Sequence, residues 1–239
     1  MIGIFSKTTD SNFVEAAGEA GLDFIILDQE HGLASQEMLH NHSRAAKIAG
    51  MKAIVRVKGV DANAIGAALD AGADGVQVPN ISTVEQVHAV IQAARFFPLG
   101  MRGVCRFVRA AQFGKKDKEQ YFSGANQATL VLQVEGKEGI EKLDDILKID
   151  GYDVLFIGPY DLSQSLGIPG QVDHPMMLEL LDDIAAKAAK AGKKLGTFVD
   201  TPKMGRLLSA KGFDYLAYSV DVSIFREACA TIISNLNDE

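Results

Sequence analysis

Short runs of Val, Ile, Leu and Phe alternate along the whole chain with longer stretches in which apolar residues recur every three or four positions. A brief apolar run bounded by polar or turn residues predicts a buried strand, whereas the wider spacing predicts a helix packed through one face. Strands are expected at Ile2 to Ser6, Phe24 to Asp28, Ala53 to Val57, Gly75 to Val78, Thr129 to Gln133, Val154 to Ile157, Lys194 to Val199 and Tyr215 to Ser219. Helices are expected at Asn12 to Ala20, Gln36 to Ala49, Ala62 to Ala71, Val84 to Ala94, Ile140 to Lys148, Met176 to Ala191, Lys203 to Ala210 and Ser223 to Leu236. Eight strands alternating with eight helices predict a (β/α)8 TIM barrel. The competing architecture is an open doubly wound sheet, but no Gly-rich phosphate loop follows the first strand.

The helix tails strengthen the barrel reading. Ala20-Gly21-Leu22, Ala71-Gly72-Ala73, Ala191-Gly192-Lys193 and Lys211-Gly212-Phe213 each place Gly just past a helix, where a left-handed cap starts a short return into the next strand. No linker divides the chain, so residues 1–239 are expected to form one domain. The stretch from Phe97 to Ala128 is expected to be irregular, and a loop of that length in a compact domain is usually functional or mobile.

Composition narrows the class. With 239 residues, 47% hydrophobic and 23% charged, the chain suits an ordinary globular domain. Its net charge of -7 argues against a broad nucleic-acid footprint, which needs clustered Lys and Arg. Two cysteines, Cys105 and Cys229, support neither a disulfide framework nor a thiolate zinc cluster. The N-terminus lacks the features of a signal peptide, and no apolar run reaches the roughly 18 residues that span a bilayer. A cytoplasmic protein without a membrane partner is expected.

In a barrel of this kind the strand exits line the active face. They read Ser6 and Lys7, then Asp28, Glu30 and His31, then Arg56 and Lys58, Pro79 and Asn80, Gln133 and Glu135, Asp161 and Ser163, Asp200, and finally Ser219 and Asp221. Arg56 lies inside an apolar run, where a charge is costly unless it meets an anion. Asp28, three residues before His31, can orient the imidazole and raise its basicity for proton transfer. Alternatively, Asp28 caps the turn and His31 is a solvated loop residue. Glu135, Asp161 and Gln133 suit a hard divalent cation that takes oxygen ligands and keeps waters for substrate to displace. Read alone, the two acids are equally compatible with an ordinary loop acid and a helix cap.

Five segments resemble the HpcH/HpaI aldolase family, in register and in the same order. They are Ile26-Leu27-Asp28-Gln29-Glu30-His31-Gly32, Gly75-Val76-Gln77-Val78-Pro79, Phe97-Pro98-Leu99-Gly100-Met101-Arg102-Gly103, Gln133-Val134-Glu135 and the run Phe156 to Gly167. The resemblance implies a barrel of the phosphoenolpyruvate/pyruvate type. It also implies a metal-dependent aldolase that cleaves or forms 4-hydroxy-2-oxo acids or 2-keto-3-deoxy sugar acids through a pyruvate enolate. It further implies Glu135 and Asp161 as ligands of Mg²⁺, or of Mn²⁺ or Co²⁺. His31 and Asp28 become an acid-base pair and Arg56 faces the keto oxygen. Gln133 lies near the metal's water or the substrate, while Gly158, Pro159 and the Gly100 to Gly103 loop with Arg102 contact the substrate carboxylate. The partners implied are a 2-oxo acid, an aldehyde and further copies of the chain in a trimer or hexamer, assembled by exchange of the last helix.

The chain departs from the family pattern in starting almost on the first strand, in Gly136-Lys137-Glu138-Gly139, and in Val104-Cys105-Arg106-Phe107-Val108-Arg109. Two other readings compete: a Claisen-type citrate-forming synthase or acyl-CoA lyase, and a non-catalytic barrel scaffold, which would need none of these polar residues.

Overall fold

In the computed structural model, which describes residues 1–237, parallel strands close into a ring in chain order. They are β1 (Ile2–Ser6), β2 (Phe24–Asp28), β3 (Lys52–Arg56), β4 (Gly75–Val78), β5 (Thr129–Val134), β6 (Val154–Ile157), β7 (Lys194–Val199) and β8 (Phe213–Val220), with β8 paired back to β1. Around them lie α1 (Ser11–Glu19), α2 (Gln36–Ile48), α3 (Ala62–Asp70), α4 (Val84–Ala94), α5 (Lys118–Ala125), α6 (Lys137–Glu141), α7 (Leu143–Ile146), α8 (Pro159–Ser165), α9 (Pro175–Lys190), α10 (Pro202–Ala210) and α11 (Asp221–Asn237). Polar side chains start many of these helices. Asp10, Ser35, Asp61, Thr83, Asp117 and Thr201 each accept from a backbone N–H of the first turn. Gly21, Gly72, Gly192 and Gly212 all have positive φ, as their place after a helix predicts.

Period-two alternation sorts each strand between two cores. Outward residues such as Ile25, Leu27, Val55, Val76, Leu132 and Ile157 pack with the helices. Inward residues Phe5, Phe24, Ile26, Ile54, Val131, Val154, Phe156, Tyr215 and Ala217 fill the barrel. Counting on by two from that inner row reaches Lys7, Asp28, Arg56, Gln133, Glu135 and Gly158. The polar cluster at the mouth is therefore the inner row of the barrel carried past the apolar layer.

Two regions differ from the sequence expectation. The helix expected over Ile140 to Lys148 is two short pieces, α6 and α7, meeting at Lys142. The stretch 97–128 is more ordered than an open loop: it carries a 3-10 turn at Arg109–Gly114 and α5. Phe96, Ala111 and Tyr121 form a small satellite core beneath it, which anchors the segment to the barrel's flank. At the other extreme, α11 buries only Asp221 along its length and leaves Val222, Phe225, Ile232, Ile233 and Leu236 exposed. No helix among the described residues is long and apolar enough to cross a membrane.

Candidate active site

Register places Asp28 beside Arg56 across β2 and β3, and the two side chains meet at the mouth. Arg56 donates from Nε to Asp28 Oδ1 at 2.9 Å and from Nη2 to Oδ2 at 2.8 Å. Its third nitrogen, Nη1, lies 2.9 Å from Glu30 Oε2, and its guanidinium covers the Phe5 ring at 4.7 Å. A buried guanidinium is tolerable here because two carboxylates and an aromatic face enclose it. Asp28 also accepts from the backbone N–H groups of Glu30 and His31 at 3.0 and 3.2 Å. Burial alone would raise its carboxyl, but the hydrogen bond and charge of Arg56, the His31 amide and Lys7 together hold it below the ordinary carboxylate value.

That geometry corrects the expected Asp28 and His31 pair. Asp28 holds the backbone of His31, not its ring, because both of its oxygens are taken up by Arg56 and by the Glu30 and His31 amides. The His31 side chain is 62% exposed, and the carboxylate facing it is Glu30, with Oε2 4.0 Å from Nε2. Glu30 is a position that the sequence left without a role. Its signal was available in the continued alternation from Asp28, and in the structure it meets Arg56 and His31.

Glu135 occupies a different environment. It is 4% exposed, and no lysine or arginine pairs with it among the described residues. Oε1 accepts from the Asn80 N–H at 2.9 Å, and Oε2 accepts from Gln133 Nε2 at 2.5 Å. Gln133 is oriented in turn by Gln77, whose Nε2 donates to Gln133 Oε1 at 2.5 Å. Asn80 adopts φ 59, a left-handed turn that Asn tolerates, and this aims its N–H at the carboxylate. Burial pushes the Glu135 carboxyl up to about 7, against the Gln133 and Asn80 hydrogen bonds and with help from the charges of Asp161 and Glu30. Glu30 is also raised, by burial first, with Arg56 and His31 opposing and Asp28 and Asp161 adding to it.

Gly158 explains how Glu135 fits. A Cβ at Gly158 would come within 2.4 Å of Glu135 Oε2, so the absence of a side chain clears the carboxylate's position. Its backbone is already engaged: the N–H donates to Val134 O and the carbonyl accepts from Leu162. Pro159 has no N–H at all. Both residues line the cleft.

Asp161, in the first turn of α8, joins Lys7, Asp28, Arg56, Gln133, Glu135, Tyr160 and an aromatic wall of Phe5, Phe156 and Phe198 around one cleft. Arg102 stands elsewhere. It donates to Asp70 at 2.5 Å, lies over Phe96 at 4.7 Å and lines a separate flank cavity of about 460 Å³. Its position in a segment anchored by the satellite core keeps it from the mouth, a tertiary constraint that its local sequence does not reveal. Lys58 is exposed and lines no wall of the cleft, while Ser163 bridges Tyr160 O and the Gly170 N–H in a structural role.

Among the described residues, no three His, Cys, Asp or Glu side chains form a ready-made metal cage. Glu135 and Asp161 nevertheless fit a hard divalent cation. Both are oxygen donors, one is buried without a positive partner, and the charge of Asp161 adds to the cost of ionising Glu135. A site with two protein ligands leaves its remaining positions to water and substrate oxygens.

The profile of the HpcH/HpaI aldolase/citrate lyase family matches residues 1–228. A 2-keto-3-deoxy-L-rhamnonate aldolase from Salmonella typhi is 36% identical over 231 residues, covering 95% of this chain and 85% of that protein. Among solved structures, an HpcH/HpaI aldolase/citrate lyase family protein from Burkholderia cenocepacia J2315 superposes with a TM-score of 0.93 at 28% identity, covering 99% of this chain and 94% of that one. The citrate synthase SbnG superposes with a TM-score of 0.88 at 28% identity, over 99% and 93% of the two chains.

Proposed function

We propose that this chain, which belongs to the HpcH/HpaI aldolase/citrate lyase family, is a carbon–carbon lyase that cleaves or forms 4-hydroxy-2-oxo acids or 2-keto-3-deoxy sugar acids with pyruvate as the enolate partner. One observation carries the reading: a buried carboxylate without a cationic partner, Glu135, stands beside Asp161 and across the mouth from an arginine held by two acids. Breaking the C3–C4 bond of such an acid leaves an electron pair on C3, which is tolerable only as an enolate. A divalent cation held by Glu135 and Asp161, Mg²⁺ first with Mn²⁺ or Co²⁺ as alternatives, would supply positive charge where that enolate forms.

The remaining work falls to the chain's own groups. Arg56, fixed by Asp28 and Glu30, presents a preorganised guanidinium toward the C2 oxygen as charge develops there. His31 stands at the open edge of the mouth, 4.0 Å from Glu30 Oε2, takes the C4 hydroxyl proton during cleavage and returns one during condensation. Gln133 holds Oε2 of Glu135 and so sets the direction in which that carboxylate faces the 2-oxo acid. The aromatic wall of Phe5, Phe156 and Phe198 limits water around the enolate.

We also place the protein in the cytoplasm, in keeping with its two free cysteines. The exposed apolar side chains of α11 support a homo-oligomer, a trimer or hexamer, in which that helix is exchanged between subunits.

Exchange of the pyruvate C3 hydrogens in deuterated water tests the enolate step. Exchange is expected to stop with a chelator and resume with Mg²⁺, and 4-hydroxy-2-oxo acids are expected to release pyruvate. Exchange that persists in fully metal-free protein would overturn the reading. Similarity to a citrate synthase supplies the contrasting assay. Release of CoA from acetyl-CoA with oxaloacetate, without pyruvate release from hydroxy-oxo acids, would move the chain to the Claisen-type branch.

A further inference from the structure

Lys7 is a cation at the mouth that the enolate chemistry does not use. It follows Phe5 by two residues at the end of β1, so its side chain continues the inner row and lines the cleft. Its root is firmly held. Asp221, buried at the start of α11, accepts from the Ser6 hydroxyl at 2.7 Å, from the Lys7 N–H at 3.0 and 3.1 Å, from the Thr8 N–H at 3.0 Å and from the Val222 N–H at 2.7 Å. One carboxylate thus fixes the whole turn from which Lys7 projects.

The ammonium group itself is not committed. The anion recorded beside it, Asp28 Oδ2, is 4.0 Å away, at the outer limit of an ion pair, and Arg56 already donates to that oxygen at 2.8 Å. Among the described residues lining the cleft, the cations are Arg56 and Lys7, and Arg56 is engaged by Asp28 and Glu30. Lys7 is also on the opposite side from the proposed cation site: in the ring, β1 lies across from β5 and its Glu135. The wall that joins the two sides is apolar and braced. Phe198 packs on Phe5 at 5.9 Å and on Tyr160 at 5.8 Å, and the Tyr160 hydroxyl donates to Asp200 at 2.5 Å.

We propose that Lys7 selects the second reactant. The preferred acceptor is an aldehyde bearing an anionic group, carboxylate or phosphate, at the end remote from its carbonyl. Lys7 receives that group while the carbonyl carbon faces the enolate and the intervening chain lies along Phe198 and Tyr160. The inference rests on the 2-oxo acid being held at Glu135 and Asp161, because only then does the free space of the cleft lie toward Lys7.

The test compares acid and neutral acceptors of matched length with the metal-loaded enzyme and pyruvate: succinic semialdehyde against butanal, and glyceraldehyde 3-phosphate against glyceraldehyde. Wild type is expected to favour at least one acid over its neutral partner, and the two pairs distinguish carboxylate from phosphate. Lys7→Met should lower kcat/KM for the favoured acid on the order of 10- to 100-fold, mainly through KM, and far less for its neutral partner. Lys7→Arg should keep most of the preference, and Lys7→Glu should reverse it. Equal kcat/KM for both members of each pair in wild type would overturn the proposal. So would an equal loss for both members in Lys7→Met alongside an unreversed preference in Lys7→Glu, or a raised KM for pyruvate as the main effect. Pyruvate exchange in wild type is read separately, so its absence would count against the aldolase reading and not against the role of Lys7.

Discussion

The two sides of the barrel mouth solve the problem of buried charge in opposite ways. On the β2 and β3 side, Asp28, Arg56 and Glu30 neutralise one another through three close contacts, and the Asp28 carboxyl is held low. On the β5 and β6 side, Glu135 is equally buried, yet it meets only neutral donors and further carboxylates, and its carboxyl is pushed up to about 7. The first side is electrostatically complete and gives the mouth its shape. The second lacks a positive charge, and supplying one is the natural task of a metal that also binds substrate.

The contrast is sharpest in turnover. Glu135→Gln keeps the shape and the Asn80 contact but removes the charge that would hold a cation, so metal-dependent pyruvate release should fall on the order of 1,000-fold or more. Its metal-free melting temperature should not fall, because a buried ionisable group has been made neutral. A steady-state assay with a thermal melt reads both; retained activity would place the metal elsewhere.

Asp28→Asn should do the reverse, costing stability even without metal. It leaves Arg56 buried with one of its partners neutral, a loss of about 3 kcal/mol in denaturant unfolding. A variant as stable as wild type would show that the Arg56 cluster is not the rigid side.

Acidity separates the sides again. A Glu135 carboxyl raised from 4.5 to about 7 means that the folded, metal-free protein binds more protons than the unfolded chain across that interval. Stability is then fully present below about pH 4.5 and declines as pH rises toward 7, by roughly 3 kcal/mol in total. Comparing unfolding of wild type and Glu135→Gln from pH 5 to 8 isolates this contribution, since the variant should lack it. Saturating Mg²⁺ should flatten the wild-type decline by binding the ionised form.

The smallest expected effect is that of Gly158→Ala. A methyl group 2.4 Å from Glu135 Oε2 must displace the carboxylate or the β6 exit, costing about 1–3 kcal/mol. The affinity for Mg²⁺ should fall together with stability, and calorimetric titration would show whether it does.

The barrel was legible because its signals are local. Apolar runs marked the strands, and Gly21, Gly72, Gly192 and Gly212 punctuated the helices as expected. The break at Lys142 was not legible, since the spacing of Ile140, Leu143 and Ile146 suits one helix as well as two. At the site, alternation was enough to gather Asp28, Arg56, Gln133 and Glu135. It could not say which side chain takes which partner, because Asp28 must choose between Arg56 on the next strand and His31 on its own chain. Arg102 shows the same limit. Its nearby residues resemble a substrate loop, but a distant acid, Asp70, and the packing of Phe96 decide where it points.

Asp221 carries a consequence for the order in which the molecule assembles. The hydroxyl and amides that it gathers after β1 lie more than 200 residues away along the chain. Such a contact can form only once β8 has docked against β1, so the first exit loop gains its Asp221 anchor late, after the nearer contact of Thr8 O with His42 of α2 is available. A chain whose ring is still open would lack the contacts that fix the root of Lys7. Ring closure therefore acts as a checkpoint, and the mouth is completed only when the two ends of the chain have met.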